Sequence, residues 1–278
     1  MIFAVFGGDD RSLRLIRLLR GDGHTVRHFG LERMLAGGET SAAAAAEGAD
    51  CVILPLPAEK EGYLNAPYAA EMLAADEVLR TVRPGTPVCA GKAGSAVKNA
   101  CAQFSLPLHD YFLLESFTQR NAALTAQGAL ALMAQRHTLL GSRVLVSGFG
   151  RIGKRLAKLL TAAGAQITVA ARSEKARAEA AALGCRIVPI ESAAARGYEF
   201  VVNTVPSVIF GAAEIAAFGN AVLIELASPP YGFDLAAAAA AGREVTVASG
   251  LPGKYAPEAA AAAVKDAIYA IMEERNSK

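Results

Sequence analysis

Residues 141–173 read GSRVLVSGFGRIGKRLAKLLTAAGAQITVAARS, and this stretch decides the fold. The β-branched run over 143–147 predicts a buried strand, and the amphipathic pattern over 151–163 predicts a helix. A second β-branched run over 167–170 predicts the next strand. A GxGxxG motif alone is weak evidence. Placed between a strand and a helix, inside a βαβ unit of ~30 residues, it predicts a dinucleotide-binding turn.

The three glycines of this turn have separate tasks. Gly148 permits the tight exit from the strand, and Gly150 lets a pyrophosphate approach the backbone because it has no Cβ. Gly153 lets the helix pack closely against the sheet. The start of the helix then offers N–H groups and the positive end of its dipole to the phosphates.

The end of the second strand bears on the choice of cofactor. NAD-binding sites usually place a carboxylate ~20 residues after the glycines, where it holds the ribose 2′-hydroxyl. Here the strand is followed by Arg172 and Ser173, and the first carboxylate is Glu174. An Arg and a Ser suit a 2′-phosphate, so we expect NADP(H), with NAD(H) as the alternative if Glu174 turns inward. The residues predicted to contact the cofactor are Gly148, Phe149, Gly150, Arg151, Ile152, Gly153, Arg172, Ser173, Thr204, Val205 and Pro206.

The composition narrows the class of protein. The chain has 278 residues, of which 53% are hydrophobic and 19% charged, with a net charge of +2. These values are typical of a globular chain with a large core and do not indicate a nucleic-acid binder, which would show a concentrated basic face. Arginines recur at helical spacing between 11 and 20, but leucines alternate with them, so a helix with a solvated basic edge is expected.

The lack of a recognisable targeting pattern and the spacing of the cysteines lead us to expect a cytoplasmic protein. The N-terminus lacks the basic region and apolar core of a signal peptide, and no apolar run reaches the ~18 residues of a membrane span. The four cysteines are scattered without a CxxC pair, which is typical of reduced core cysteines and not of disulfides or a metal site. The four histidines likewise have no metal-site spacing.

Alternation of strand and helix patterns over the whole chain predicts an α/β fold of two Rossmann-like domains. We expect an N-terminal, substrate-side domain over 1–118. A dinucleotide-binding domain with a doubly wound parallel sheet is expected over 119–278. Long helices over about 118–138 and 257–274 would join the domains across a cleft, and the last helix could pack back on the first domain.

Two families of nicotinamide enzymes fit this architecture incompletely. A 2-hydroxyacid dehydrogenase would need an Arg after the strand over 221–225 and a late His. The chain has Ser228 near that position, and its last histidine is His137. A shikimate dehydrogenase-like enzyme would share the Arg-Ser cofactor end, but it would need a Lys near a Pro. Pro57 and Lys60 match that pattern poorly.

Six strings in fixed order carry a better resemblance. They are Gly7-Gly8-Asp9-x-Arg11, Val52-Ile53-Leu54-Pro55-Leu56-Pro57, Gly148-Phe149-Gly150-Arg151-Ile152-Gly153-Lys154, Asn203-Thr204-Val205-Pro206, Glu225-Leu226-Ala227-Ser228 and Gly250-Leu251-Pro252-Gly253-Lys254-x-Ala256-Pro257. Together they resemble the A-subunit family of bacterial dipicolinate synthase, over nearly the whole chain. One departure is the segment 229–234, PPYGFD, where a loop richer in glycine is expected.

The resemblance implies a reaction and a partner. The reaction is the NAD(P)-dependent oxidation of dihydrodipicolinate to dipicolinate, pyridine-2,6-dicarboxylate, during sporulation. The partner is a separate, flavoprotein-like B-subunit of dipicolinate synthase. A homo-oligomer is a further alternative. The aromatic product supplies a driving force, so the protein need mostly position substrate and cofactor and accept one proton.

A dicarboxylate substrate calls for cations and hydrogen-bond donors. Our candidates to pair with carboxylates are Arg11, Arg120 and Lys254, and the first of these to test is Lys254, which follows a Pro-Gly at a strand end. The candidates to hydrogen-bond the substrate are Ser116, Asn121, Thr125 and Ser228. Glu225 is the candidate base, although a Glu at a strand end equally often caps a nearby helix. A non-catalytic NADP-binding sensor or scaffold protein stays open, because a Rossmann turn gives binding and not catalysis.

Overall fold

The computed structural model describes residues 1–194 and 197–277 and divides the chain into two compact units. Unit 1 comprises residues 1–121 and the C-terminal segment from Ala256, and unit 2 comprises Ala122–Tyr255. Within the described residues, no helix has the length and apolar character needed to cross a membrane.

Unit 1 is built around a five-stranded, entirely parallel sheet in the order β2-β1-β3-β6-β7. Its strands are β1 (Ile2–Phe6), β2 (Thr25–Phe29), β3 (Cys51–Ile53), β6 (Val88–Ala90) and β7 (Leu108–Asp110), with β4 (Glu59–Lys60) and β5 (Tyr63–Leu64) as a small antiparallel hairpin. Its helices are α1 (Asp10–Gly21), α2 (Ala42–Ala46), α3 (Ala75–Leu79), α4 (Ser95–Gln103), the first part of α5 (Glu115–Ala134), and α11 (Pro257–Asn276).

Both faces of this sheet are covered, as short runs of buried β-branched and apolar residues require. One face packs on α1 and α11, with Leu15, Leu19, Ile268 and Phe3 in a shared cluster. Asp9 starts α1 by accepting a hydrogen bond from the Arg11 N–H, a standard N-cap. The last helix therefore belongs to the core of unit 1.

Unit 2 is a six-stranded parallel sheet in the order β10-β9-β8-β11-β12-β13. Its strands are β8 (Arg143–Ser147), β9 (Gln166–Ala170), β10 (Arg186–Val188), β11 (Phe200–Asn203), β12 (Val222–Glu225) and β13 (Val245–Val247). Its helices are the remainder of α5, α6 (Arg151–Ala162), α7 (Glu174–Ala182), α8 (Ala212–Ala217), α9 (Leu235–Ala240) and α10 (Leu251–Tyr255).

The strand order of unit 2 reverses between β8 and β11, which is the switch point where doubly wound sheets bind dinucleotides at their carboxyl ends. The predicted α/β fold with parallel sheets is confirmed. Helix α3 begins at Ala75, and in the loop before it Glu32 accepts a hydrogen bond from the Ala70 N–H. Strand β7 was not predicted, because it has three residues and a polar sequence.

Candidate functional site

The glycine turn of unit 2 has the geometry that the sequence predicts. Gly148 follows β8 with a φ of +86°. A Cβ at this residue would lie 2.5 Å from the Thr204 Oγ1 and 2.8 Å from a Val205 methyl carbon. The left-handed backbone and the close neighbours both require glycine. Thr204 and Val205 therefore form the wall of the turn at the switch point between β8 and β11.

Of the other two glycines, Gly153 is needed for close packing of α6, whereas Gly150 borders open space. A Cβ at Gly153 would lie 2.3 Å from the Gly148 carbonyl oxygen, so α6 can approach the turn only with glycine there. A Cβ at Gly150 would meet no heavy atom within 4 Å. Gly150 is exposed and is the N-cap of α6, so its backbone faces open space at the start of a helix. This cradle fits a pyrophosphate.

Side chains around the turn have different tasks. Phe149 is buried in the core of unit 2, so only its backbone can line the cradle. The Lys154 ammonium lies 5.9 Å from the Phe149 ring centroid and pairs with Glu179, which ties α6 to α7. Arg151 is exposed and Ile152 half-buried in the first turn of α6.

The end of β9 presents cationic and polar groups. Arg172 is exposed, and its carbonyl oxygen accepts a hydrogen bond from Arg177 at 2.7 Å. The Ser173 hydroxyl accepts the Ala176 N–H at 3.2 Å and so caps α7. Glu174, the first residue of α7, is exposed. The segment therefore places one Arg at the start of a capped helix.

A buried polar network crosses the carboxyl ends of three neighbouring strands. Ser147, Asn203 and Glu225 lie directly opposite one another in the ladder, and all three are fully buried. The Ser147 hydroxyl donates to the Asn203 Oδ1 at 2.8 Å. The Asn203 Nδ2 donates to the Glu225 Oε1 at 2.7 Å and to the Val205 carbonyl oxygen at 2.9 Å. The network thereby fixes the turn after β11 that forms one wall of the cradle.

Glu225 also holds the loop that follows β12. Its Oε1 accepts the Ala227 N–H at 2.8 Å, and its Oε2 accepts the Gly232 N–H at 2.8 Å and the Phe233 N–H at 3.2 Å. Four donors thus converge on a carboxylate with no exposed surface. This geometry favours an anchoring role, close to the capping alternative from the sequence, over that of a base that meets a substrate.

The remaining candidates of unit 2 lie on that loop and on α10. Ser228 is exposed, and its carbonyl oxygen accepts the Tyr231 N–H at 3.2 Å. Pro206 is exposed just beyond Val205. Lys254 is exposed on α10, where its N–H donates to the Gly250 carbonyl oxygen at 3.1 Å. The expectation that this Pro-Gly lies at a strand end is wrong, because Leu251–Tyr255 is helical.

In unit 1 the first glycine turn is filled by the chain itself. A Cβ at Gly7 would lie 2.7 Å from the Ala66 Cβ, and Gly8 donates to the Asn65 carbonyl oxygen at 2.9 Å. Arg11 is only 9% exposed; its Nε donates to the Asp9 carboxylate at 2.9 Å, and it also donates to the Leu56 carbonyl oxygen. Burial is the largest single influence on the pKa of Arg11 and by itself would lower it. The hydrogen bond and the negative charge of Asp9 together outweigh burial, so the pKa is raised. Arg11 therefore links α1 to the loop after β3.

The candidates on α5 lie on two sides of the helix. Ser116 and Arg120 are one turn apart and exposed, and Arg120 forms an ion pair with Asp266 of α11. Asn121 and Thr125 are also one turn apart; Asn121 is half-buried and Thr125 is 8% exposed. Arg120 thus has a surface partner within unit 1, and the helix passes from unit 1 to unit 2 between Asn121 and the residue that follows it.

Sequence reasoning missed the roles of Ser147 and Asn203. A usable signal was present, because each is a polar residue at the end of an otherwise apolar strand. It also missed Asp110, whose carboxylate accepts three backbone N–H groups near Lys92.

Fold and turn together define the class. Residues 113–227 match the family described as D-isomer specific 2-hydroxyacid dehydrogenase, NAD binding domain. D-lactate dehydrogenase of Escherichia coli shares the fold with a TM-score of 0.64 at 13% identity, covering 100% of this chain and 98% of that one. The chain is thus a dehydrogenase-type protein with a nicotinamide dinucleotide-binding domain.

More specific matches cover both units. Residues 2–112 match the family described as the N-terminal domain of the dipicolinate synthase A-subunit. The A-subunit of dipicolinate synthase from Bacillus subtilis (strain 168) is 29% identical, covering 98% of this chain and 95% of that protein. The crystal structure of the A-subunit from Bacillus halodurans superposes with a TM-score of 0.86 at 25% identity, covering 97% of each chain. The chain is similar to the dipicolinate synthase A-subunit over both units, and the resemblance seen in the sequence is confirmed.

Proposed function

We propose that this chain oxidises dihydrodipicolinate to dipicolinate with NADP⁺ during sporulation. The observation that carries the proposal is the similarity to the dipicolinate synthase A-subunit over nearly the whole length of both chains, together with a dinucleotide cradle that is open at Gly150. The ring loses one hydride and one proton and becomes an aromatic pyridine. The bound cofactor supplies the hydride acceptor.

The residues of unit 2 would bind and orient the cofactor. Gly148 and Gly153 shape the turn, and the start of α6 offers its N–H groups to the pyrophosphate at Gly150. Thr204, Val205 and Pro206 bound the turn on the β11 side. The Ser147–Asn203–Glu225 network holds this wall in place, and its buried, fully hydrogen-bonded character makes it rigid.

NADP(H) is proposed over NAD(H) because of the charge at the end of β9. Arg172 is exposed there, and a guanidinium can bind a 2′-phosphate with two parallel hydrogen bonds. The first carboxylate, Glu174, lies in the first turn of α7, whereas NAD-binding sites place it at the strand end to meet the ribose.

Two exposed residues are proposed to contact the substrate. Lys254 would be a cation for a carboxylate and Ser228 a hydrogen-bond donor, because they lie in the segments that follow the carboxyl ends of β13 and β12. Asn121 and Thr125 of α5 are further proposed hydrogen-bonding groups. Glu225 does not serve as the base in this proposal, because four donors occupy its buried carboxylate. A flavoprotein-like B-subunit is the proposed partner and the cytoplasm the proposed compartment.

A second candidate function is that of a non-catalytic NADP-binding protein, and it is favoured because four hydrogen bonds occupy the Glu225 carboxylate and leave no base identified. Steady-state oxidation of dihydrodipicolinate with NADP⁺ and with NAD⁺ distinguishes the enzyme from the binding protein. It is measured with the purified chain alone and after addition of the B-subunit. Turnover by the chain alone, with a lower KM for NADP⁺, supports the enzyme. NADPH binding without turnover under either condition favours the binding protein.

A further inference from the structure

Arg177 of α7 holds the backbone at the carboxyl end of β9. The side chain is half-buried, and its Nη1 donates to the Ala171 carbonyl oxygen at 3.2 Å and to the Arg172 carbonyl oxygen at 2.7 Å. The first carbonyl belongs to the peptide unit before Arg172 and the second to the peptide unit after it. Because peptide units are planar, one guanidinium thereby restrains both backbone torsions of Arg172.

The restrained backbone determines where the Arg172 side chain begins. Ala171 is buried in the core of unit 2, whereas Arg172 is exposed. The direction of the bond from Cα to Cβ follows from the backbone conformation, so the exposed guanidinium extends from a fixed point. A group held in place before a ligand arrives loses less freedom on binding, and this favours affinity.

The same hydrogen bonds occupy two acceptors near Arg172. A free carbonyl oxygen repels a phosphate, but both carbonyl oxygens that flank the Arg172 Cα accept from a cation. The next residue, Ser173, accepts the Ala176 N–H on its hydroxyl oxygen at 3.2 Å, and its O–H can still donate to a phosphate oxygen. The segment therefore presents donors and a positive charge.

Helix α7, which carries Arg177, is attached to the cofactor turn. Glu179 of α7 pairs with Lys154 of α6, the helix that begins at the turn. The end of β9 is attached as well, because the Gly148 N–H donates to the Ala170 carbonyl oxygen at 2.9 Å. Arg177 thus closes a frame that consists of the turn, α6, α7 and the end of β9.

Unit 2 contains a second arginine of the same kind at the other edge of its sheet. Arg243 is also half-buried, and it donates to the Ala221 carbonyl oxygen at 2.7 Å and to the Gly219 carbonyl oxygen. These carbonyls precede β12, at the amino ends of the parallel strands, whereas dinucleotides bind at the carboxyl ends. Arg243 therefore has the same type of hydrogen bonds without the same neighbourhood.

We propose that Arg177 is a positioning residue for the 2′-phosphate of NADP(H) and acts through the backbone of Arg172. This inference rests on the proposed binding of NADP(H), and it concerns unit 2 alone. A guanidinium binds a phosphate with two parallel hydrogen bonds only in the right orientation, so the preference for NADP(H) should depend on both arginines. Arg177 is not among the cofactor residues expected from the sequence.

The test measures cofactor preference in single and double variants of the full chain. Calorimetry would give the affinities for NADPH and NADH, and for adenosine 2′,5′-bisphosphate and 5′-AMP. The variants are Arg177→Met and Arg177→Gln, which remove the charge, Arg177→Lys, which keeps it, Arg172→Met, and the double variant Arg172→Met/Arg177→Met. Arg243→Met is the matched control, and thermal unfolding is followed for every variant.

We expect Arg177→Met and Arg177→Gln to lower the preference for NADPH over NADH about five- to tenfold, with Arg177→Lys losing about threefold or less. The affinity for NADH should stay within about twofold, and the two adenosine ligands should show the same pattern. When Arg172 is already Met, Arg177→Met should change the preference by less than about twofold. Arg243→Met should lower the unfolding temperature and leave the preference unchanged.

Three results would overturn this inference alone. They are an unchanged preference in both neutral Arg177 variants, an equal loss of NADPH and NADH affinity, and an equal effect of Arg177→Met with and without the Arg172 guanidinium. The last result would mean that Arg177 does not act through Arg172. If the unchanged chain binds NADH as tightly as NADPH, the proposed choice of cofactor fails and this inference with it, whereas the proposed oxidation is tested separately by turnover with NAD⁺.

Discussion

Replacing Glu225 by Gln separates an anchoring carboxylate from a catalytic base. The substitution keeps the shape of the side chain and exchanges one acceptor oxygen for an NH₂ group. Glu225 accepts two hydrogen bonds on each oxygen, from Asn203 and Ala227 on one and from Gly232 and Phe233 on the other. In either orientation of the amide, two buried N–H donors lose their acceptor and face another donor.

The magnitude follows from these lost acceptors. Each buried donor left without an acceptor costs about 1–3 kcal/mol, so Glu225→Gln should lower the free energy of unfolding by about 2–6 kcal/mol. Because the chain contains no tryptophan, urea unfolding is best followed by far-ultraviolet circular dichroism. Glu244→Gln, at an exposed position of the same unit, should leave the unfolding curve unchanged.

Measurements of activity and of stability together distinguish the two roles of Glu225. If Glu225 anchors the loop, the variant loses stability, and any loss of activity accompanies weaker ligand binding. A variant with unchanged unfolding and unchanged ligand affinity, but with kcat reduced by orders of magnitude, would refute the anchoring role and restore Glu225 as the base.

Three further predictions concern the cofactor turn, cofactor choice and pH. Gly150→Ala should have a free energy of unfolding within about 1 kcal/mol of that of the unchanged chain, because its Cβ would meet no protein atom. The same Cβ would occupy the space proposed for the pyrophosphate, so NADPH binding by calorimetry should be at least about tenfold weaker. Gly153→Ala should instead lower the free energy of unfolding in urea by about 1–3 kcal/mol, because its Cβ would lie 2.3 Å from the Gly148 carbonyl oxygen. Equal behaviour of the two variants would contradict this division. Arg172→Asp should lower the preference for NADP⁺ over NAD⁺ in kcat/KM by about tenfold or more, and an unchanged ratio would remove Arg172 from the 2′-phosphate site. Burial lowers the pKa of His28 below 6.5, so near that pH the unfolded state binds more protons than the folded state and stability falls as the pH drops. His28→Leu should therefore flatten the curve of unfolding free energy against pH below 6.5. An unaltered slope would show that His28 does not cause this pH dependence.

The sheet strands and the glycine turn could be predicted because their determinants are local. β-branched runs define β8, β9 and β11, and the spacing of three glycines after a strand has one common structural meaning. The order of the six strings along the chain added the family. Each of these signals lies within a few residues of sequence.

The tasks of individual side chains could not be predicted, because their partners are distant in sequence. Glu225 is indistinguishable from a base until the N–H groups of Gly232 and Phe233 are seen around it. Likewise, Arg11 has the spacing of an anion-binding residue, but it is engaged by Asp9. The loop at Lys92 is likewise held by Asp110, which comes from the next strand.

We propose above that this chain converts dihydrodipicolinate to dipicolinate with NADP⁺. The most direct measurement incubates the purified chain with dihydrodipicolinate and NADP⁺. It follows dipicolinate by chromatography and NADPH by absorbance, with Gly150→Ala as the control. We expect equal amounts of dipicolinate and NADPH, formed at rates far above those of the Gly150→Ala variant. Dipicolinate formation that is independent of NADP⁺ and equal in the variant, or NADPH binding without any product, would contradict it.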